Sequence, residues 1–235
     1  MAWTPFSVAA PAGTALPEDS VSYGPAIPRE VDLRLLGDVS GKRVLDLGCG
    51  AGRNAVALAN AGGRVIAVDE SADQIGEARA AVDAADVRVE LHHAPLAELA
   101  FLRADTIDAA ICVGALVHVA DISRVFRQLH RVLRPEHAAV ISVPHPMFAV
   151  VDPGADDPFA IRHSAFDPEP FPSDDPRAGT HARSFGTLFT ELGRAGFRVD
   201  TVLEPEPVQT GGPHWSPAMD RIPATLILRA RKEGN

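Results

Sequence analysis

Eleven residues, Val44-Leu45-Asp46-Leu47-Gly48-Cys49-Gly50-Ala51-Gly52-Arg53-Asn54, restrict this chain more than any other stretch. A short apolar run ends beside an acid, passes three alternate glycines and enters an alanine-rich segment. That order reads as a strand, a tight turn and the start of a helix. Glycine at such a turn lets the backbone take φ > 0 and brings a ligand close to the main-chain N–H groups of a helix N-terminus. A small-molecule site follows.

Spacing narrows the ligand. A phosphate-binding loop for a nucleotide triphosphate needs Lys and then Ser or Thr after its last glycine, whereas Gly52 is followed by Arg53 and Asn54. The dinucleotide fingerprint G-x-G-x-x-G, counted from Gly48, places its third glycine at Arg53. A bulky side chain there crowds both the pyrophosphate and the helix-to-strand packing, so a nicotinamide-dependent oxidoreductase is disfavoured. What remains is an acid followed by G-x-G-x-G: Asp46, Gly48, Gly50 and Gly52.

Around this turn the chain alternates between strand and helix periods, the pattern of βαβ units and a parallel sheet. Arg43 to Leu47 reads as a buried strand, Arg53 to Ala61 as a helix, and Arg64 to Val68 as a second strand ending at Asp69. Ser71, with Gln74 three residues on, predicts a capping box for a helix to about Ala85. Val87 to Leu91 predicts a more exposed third strand, Ile107 to Val113 a fourth, Ile122 to Leu133 a helix and Ala138 to Val143 a fifth strand. Arg183 to Ala195 predicts a helix, and Phe197 to Leu203 and Ala224 to Ala230 two late strands.

Two segments fall outside this rhythm. Residues 1–28 hold five prolines and read as irregular, with a short helix expected around Ile27 to Leu36. Residues 144–182 are rich in proline and acid but carry Phe148, Phe159, Phe166 and Phe171, which predicts a lid inserted after the fifth strand. A single domain over 29–235 is expected.

The residues resemble the class I S-adenosylmethionine-dependent methyltransferases. The likeness rests on Val44 to Gly52, on Asp69 closing the second strand, on Thr106 to Cys112, and on Arg131-Val132-Leu133-Arg134-Pro135 before the fifth strand. It implies an α/β, doubly wound, Rossmann-like sheet of seven mostly parallel strands with the last antiparallel. It also implies S-adenosyl-L-methionine as cofactor, with S-adenosyl-L-homocysteine as product. On that reading Gly48, Cys49, Gly50 and Gly52 floor the cofactor site and Asp46 holds the amino group or supports the turn. Asp69 takes the ribose hydroxyls, the competing N-cap role being filled by Ser71. Glu70, His93, Ala94 and Val113 complete the cofactor contacts. His93 stands near the place where many relatives carry an acid for adenine, so adenine recognition departs from the family pattern. Tyr23, in the segment that relatives fold over the cofactor, is expected at its methionine end or in the packing.

Methyl transfer draws most of its rate from orientation, so no sharp catalytic motif is required. Two histidines at the expected carboxyl edge of the sheet are candidates for base or substrate contact: His145, clamped between Pro144 and Pro146, and His118 after the fourth strand. Arg183, His163 and His214 are weaker candidates. His92 and His93 are strand neighbours pointing to opposite faces, so no metal is expected. A net charge of −9 without any basic block argues for a small-molecule substrate and against nucleic acid. A composition 46% apolar and 23% charged, with no long apolar run, excludes a membrane span. Cys49 and Cys112 suit reduced thiols, and the first twenty residues lack a basic start, so a cytoplasmic monomer or homodimer is expected. A protein of this fold that binds the cofactor without methylating is the remaining class.

Overall fold

The computed structural model describes residues 20–152, 155–166, 181, 183–208 and 215–234. Seven strands form one sheet: β1 Arg43–Leu47, β2 Arg64–Asp69, β3 Val89–His93, β4 Ala109–Val113, β5 Ala138–Pro144, β6 Phe197–Leu203 and β7 Thr225–Lys232. Their order is β3-β2-β1-β4-β5-β7-β6, and β7 is antiparallel to both neighbours while the other pairings are parallel. Five α-helices lie among the described residues, the first of them before β1: α1 Glu30–Leu33, α2 Arg53–Asn60, α3 Ala72–Ala84, α4 Ile122–Val132 and α5 Phe185–Arg194. The chain reverses its direction of travel across the sheet between β1 and β4, and a crevice at the carboxyl ends of the strands opens at such a switch point.

Both faces of the sheet are buried, which is why the strands read as nearly continuous apolar runs. Leu45 and Leu47 of β1 join Leu116, Phe126, Leu129, Leu188 and Leu192 on the face covered by α4 and α5. Val44, one residue out of phase, joins Val65, Ile75, Leu58 and Ile111 on the face covered by α2 and α3. Removing a fully buried ring such as Phe126 from a core like this costs about 3–5 kcal/mol.

The expected elements recur with boundary shifts that have local causes. The α3 start is only half of the predicted box: Ser71 Oγ accepts the Gln74 N–H at 3.3 Å, while Gln74 Oε1 is buried without a partner. The predicted helix near Ile27 contracts to α1 because Arg34 takes a left-handed conformation and its N–H closes on Glu30. Residues 20–28 form no regular element, yet Val21, Tyr23 and Ile27 are buried in the α2 and α3 face.

The described part of the predicted lid divides in two. Phe148 is fully buried with Val151, Ala218, Met219 and Ala224, so the first turn after β5 is core. Phe159 and Phe166 are exposed, whereas Phe171 and the candidate His214 lie outside the described residues. Among the described residues no helix is long and apolar enough to cross a membrane.

Candidate functional site

Three glycines with positive φ, Gly48 at 79°, Gly50 at 53° and Gly52 at 79°, carry the chain from β1 into α2. Space as well as dihedral angle demands glycine at two of them. A Cβ on Gly48 would stand 2.1 Å from the Ala115 Cβ, in the turn after β4, and one on Gly52 would stand 2.9 Å from the Ala78 Cβ on α3. The turn is tied to the next strand, since the Gly48 and Cys49 N–H groups both donate to the Val68 carbonyl, at 2.7 and 3.0 Å. Gly52 offers α2 no side-chain cap, so the first N–H groups of that helix face the crevice without an intrinsic partner.

Two carboxylates flank the turn and differ in their state. Asp69 accepts the Gly50 N–H through Oδ2 at 2.8 Å and the Ser71 N–H through Oδ1 at 2.9 Å. A carboxylate has about four acceptor sites, so two remain for a ligand's hydroxyls. Asp46 is 1% exposed and its Oδ2 has no partner. Burial, and then the neighbouring charge of Asp69, push its carboxyl up to about 7. A buried carboxylate oxygen without a donor is costly, and a cationic amine is the ligand group that relieves it.

The remaining expected cofactor residues converge on the same edge. The Ala94 N–H donates to the Asp69 carbonyl at 3.0 Å, and the His93 ring bonds the exposed Glu70 at its carbonyl, also at 3.0 Å. His92 turns the other way, stacking on Phe101 with centroids 4.1 Å apart. Val113, half-buried, ends β4. Cys49 and Cys112 are buried, and their thiols are held well above the ordinary range by that burial and by Asp46 and Asp69, so neither is a ready nucleophile.

Of the two places expected for Tyr23, the structure shows the packing: its side chain is fully buried and its hydroxyl donates to Glu30 Oε2 at 2.7 Å. Its segment still lies beside the cradle: the Asn54 side chain, on the first turn of α2, exchanges bonds with the Ser22 backbone at 2.9 and 3.0 Å.

Beyond β4 and β5 the two candidate histidines differ sharply. His118 ends the short 3-10 turn Ala115–His118 and is exposed. His145 is 5% exposed, with Nδ1 accepting the Met147 N–H at 3.0 Å and Nε2 standing 2.8 Å from Glu204 Oε1. A backbone N–H can only donate, so the ring proton is on Nε2 and points at the carboxylate. The half-exposed group of the pair is therefore Glu204, with His145 behind it. Sequence reading passed over Glu204, although an acid directly after a strand end is the same signal that marks Asp69. It also took Arg53 only as an obstacle, whereas its Nη1 is buried and unpartnered.

The acid and glycine turn after β1, the acid after β2, and a seven-stranded sheet whose seventh strand is antiparallel and inserted before the sixth stand together here. Residues 44–136 also match the family described as Methyltransferase domain. This stretch carries a methyltransferase domain, and the sheet around it has the fold of the class I S-adenosylmethionine-dependent methyltransferases. Among solved structures similar to this chain is an S-adenosylmethionine-dependent methyltransferase from Mesorhizobium loti. It is 29% identical with a TM-score of 0.72, over 85% of this chain and 94% of that one. A ubiquinone biosynthesis O-methyltransferase of Aromatoleum aromaticum is 35% identical over 41% of this chain and 42% of its own length. The O-methyltransferase resE of Aspergillus sclerotiorum is 36% identical over 46% and 41%. The chain thus spans less than half the length of these curated relatives.

Proposed function

We propose that the protein transfers a methyl group from S-adenosyl-L-methionine to a nucleophilic oxygen of a small-molecule acceptor. The observation that carries this reading is the buried, unpartnered Asp46 Oδ2 beside a cradle that admits no Cβ. When bound, the cofactor would supply an electrophilic sulfonium methyl group, given up to the acceptor oxygen as the carbon–sulfur bond breaks and its electron pair stays on sulfur. Asp46 would pair with the ammonium of the methionine end, and Asp69, held by its bonds from the Gly50 and Ser71 N–H groups, would accept the ribose hydroxyls. The glycine turn excludes side chains from the space between them. Glu204, backed by His145, takes the hydroxyl proton of the acceptor directly or through water. Oxygen is chosen because the two curated relatives described above carry O-methyltransferase names.

Positioning supplies about 7–11 kcal/mol of such a reaction's barrier lowering, and a proton acceptor adds about 10²- to 10⁴-fold. Calorimetry with S-adenosylhomocysteine tests the cofactor part, and absence of binding at millimolar concentration refutes it. Incubation with methyl-labelled cofactor and a panel of phenols tests the transfer. Tight cofactor binding with no label in any acceptor, including host extract, would instead support a non-methylating role.

A further inference from the structure

Among the described residues outside the cofactor cradle, the Arg183 guanidinium is left short of partners. Arg183 directly precedes Ser184, the N-cap of α5. Its Nη2 donates to the carbonyls of Val119 and Ala120, the latter at 3.2 Å, and the His181 N–H donates to the Val117 carbonyl at 2.9 Å. Residues 181 and 183 therefore lie along the loop that leaves the turn after β4, the wall that carries His118. The Arg183 Nε is buried and has no hydrogen-bond partner. Desolvation lowers the pKa of the guanidinium, the sign of a cation without an anion beside it. Next along the chain, Phe185 and Phe189 stay 41% and 49% exposed as a tilted pair with centroids 5.9 Å apart.

A guanidinium has five donors in a planar fork, matched to a carboxylate. Two carbonyls engage one nitrogen and position the group without neutralising it. The chain as a whole carries a net charge of −9 and repels anions, so an anion is admitted here only by a dedicated cation. We propose that Arg183 receives a carboxylate of the methyl acceptor and that Phe185 and Phe189 meet its apolar body, which makes the acceptor an aromatic or similarly apolar acid. This rests on the methyl-transfer reading above.

Benzoate and its neutral isostere benzamide serve as probes, titrated by NMR into the protein saturated with S-adenosylhomocysteine at fixed ionic strength. Benzoate binds at least tenfold tighter than benzamide. Arg183→Gln abolishes that preference while the affinity for S-adenosylhomocysteine is unchanged, and Phe189→Ala weakens both probes together. Arg183→Lys, which keeps a cation and a carbonyl donor, guards against a folding defect: it retains the melting temperature and part of the preference. Equal or absent binding of the two probes by the native protein overturns the proposal, as does a preference that survives Arg183→Gln. Failure of S-adenosylhomocysteine to bind overturns the methyl-transfer reading instead, whatever the probes do.

Discussion

Asp46 makes cofactor affinity depend on pH in a calculable way. Raising a carboxyl from 3.8 to about 7 corresponds to about 4 kcal/mol against its charged form in the ligand-free fold. The folded protein therefore holds a proton on Asp46 that the unfolded chain releases, and stability falls as pH rises from about 3.8 to about 7. An ammonium placed against Oδ2 reverses the balance, because it favours the carboxylate. Binding of S-adenosylhomocysteine then releases close to one proton at pH 6 and none at pH 8.5. Affinity gains up to about tenfold per pH unit below 7 and levels off above it. Asp46→Asn removes both the slope and the proton release. It weakens binding at pH 8 by about 10- to 100-fold, the loss of one charged hydrogen bond, while the ligand-free variant melts higher than the native protein at that pH. Calorimetry in two buffers of different ionisation enthalpy measures the proton count directly. A native affinity that does not change between pH 5.5 and 8, with no proton exchanged, refutes the assignment of the amine to Asp46.

Asp69→Ala loses the anchors of Gly50 and Ser71 as well as the ribose contacts, so S-adenosylhomocysteine should bind at least about tenfold more weakly by calorimetry. Gly48→Ala forces a Cβ to within 2.1 Å of Ala115 in a left-handed backbone, and urea unfolding should show a loss of about 1–3 kcal/mol or more. Asp200 is 12% exposed between Arg229 Nε at 2.7 Å and Arg231 Nε at 3.1 Å. Burial raises its carboxyl, but the two guanidiniums outweigh burial and leave it lowered. Its contribution is thus present above the ordinary carboxylate pKa and lost as pH falls. Asp200→Ala should cost about 1–3 kcal/mol at pH 7 in urea, with a smaller difference at low pH. Glu204→Gln should lower turnover of a methylated acceptor by about 10²-fold or more and move its pH profile, while leaving S-adenosylhomocysteine affinity unchanged in calorimetry.

The glycine cradle, the half of the site proposed for the cofactor, was legible because its residues act through backbone geometry. Glycines at fixed spacing after an apolar run, and an acid at the next strand end, are local facts that survive folding unchanged. Tyr23 was not legible in this way: its fate depends on Glu30 and on the face of the sheet it fills, and neither is encoded in its neighbours. His145 shows the same gap. Its position after β5 follows from the strand pattern, but its tautomer is set by Met147 and its partner Glu204 comes from a strand 59 residues on. The two late strands were recognisable as strands, while their interchange, β7 inserting before β6, rests on pairings between distant segments that no local pattern encodes. Arg183 was visible as a charged loop residue, and only its seat on the Val119 and Ala120 carbonyls distinguishes it from a solvated one.

The missing side chain at Gly48 has a consequence for timing as well as space. Its Cα faces Ala115 with no room for a methyl group, so the turn that carries the donor and the turn that carries His118 are meshed like two gear teeth. Displacement at carbon is intolerant of misalignment, and about 1 Å of slippage between reactants costs on the order of 100-fold. A pair of turns in direct contact cannot drift independently, so on the methyl-transfer reading the donor and acceptor walls keep register. A larger residue at 115 would be expected to unmesh them, leaving a protein that still binds both ligands yet brings them together only by chance.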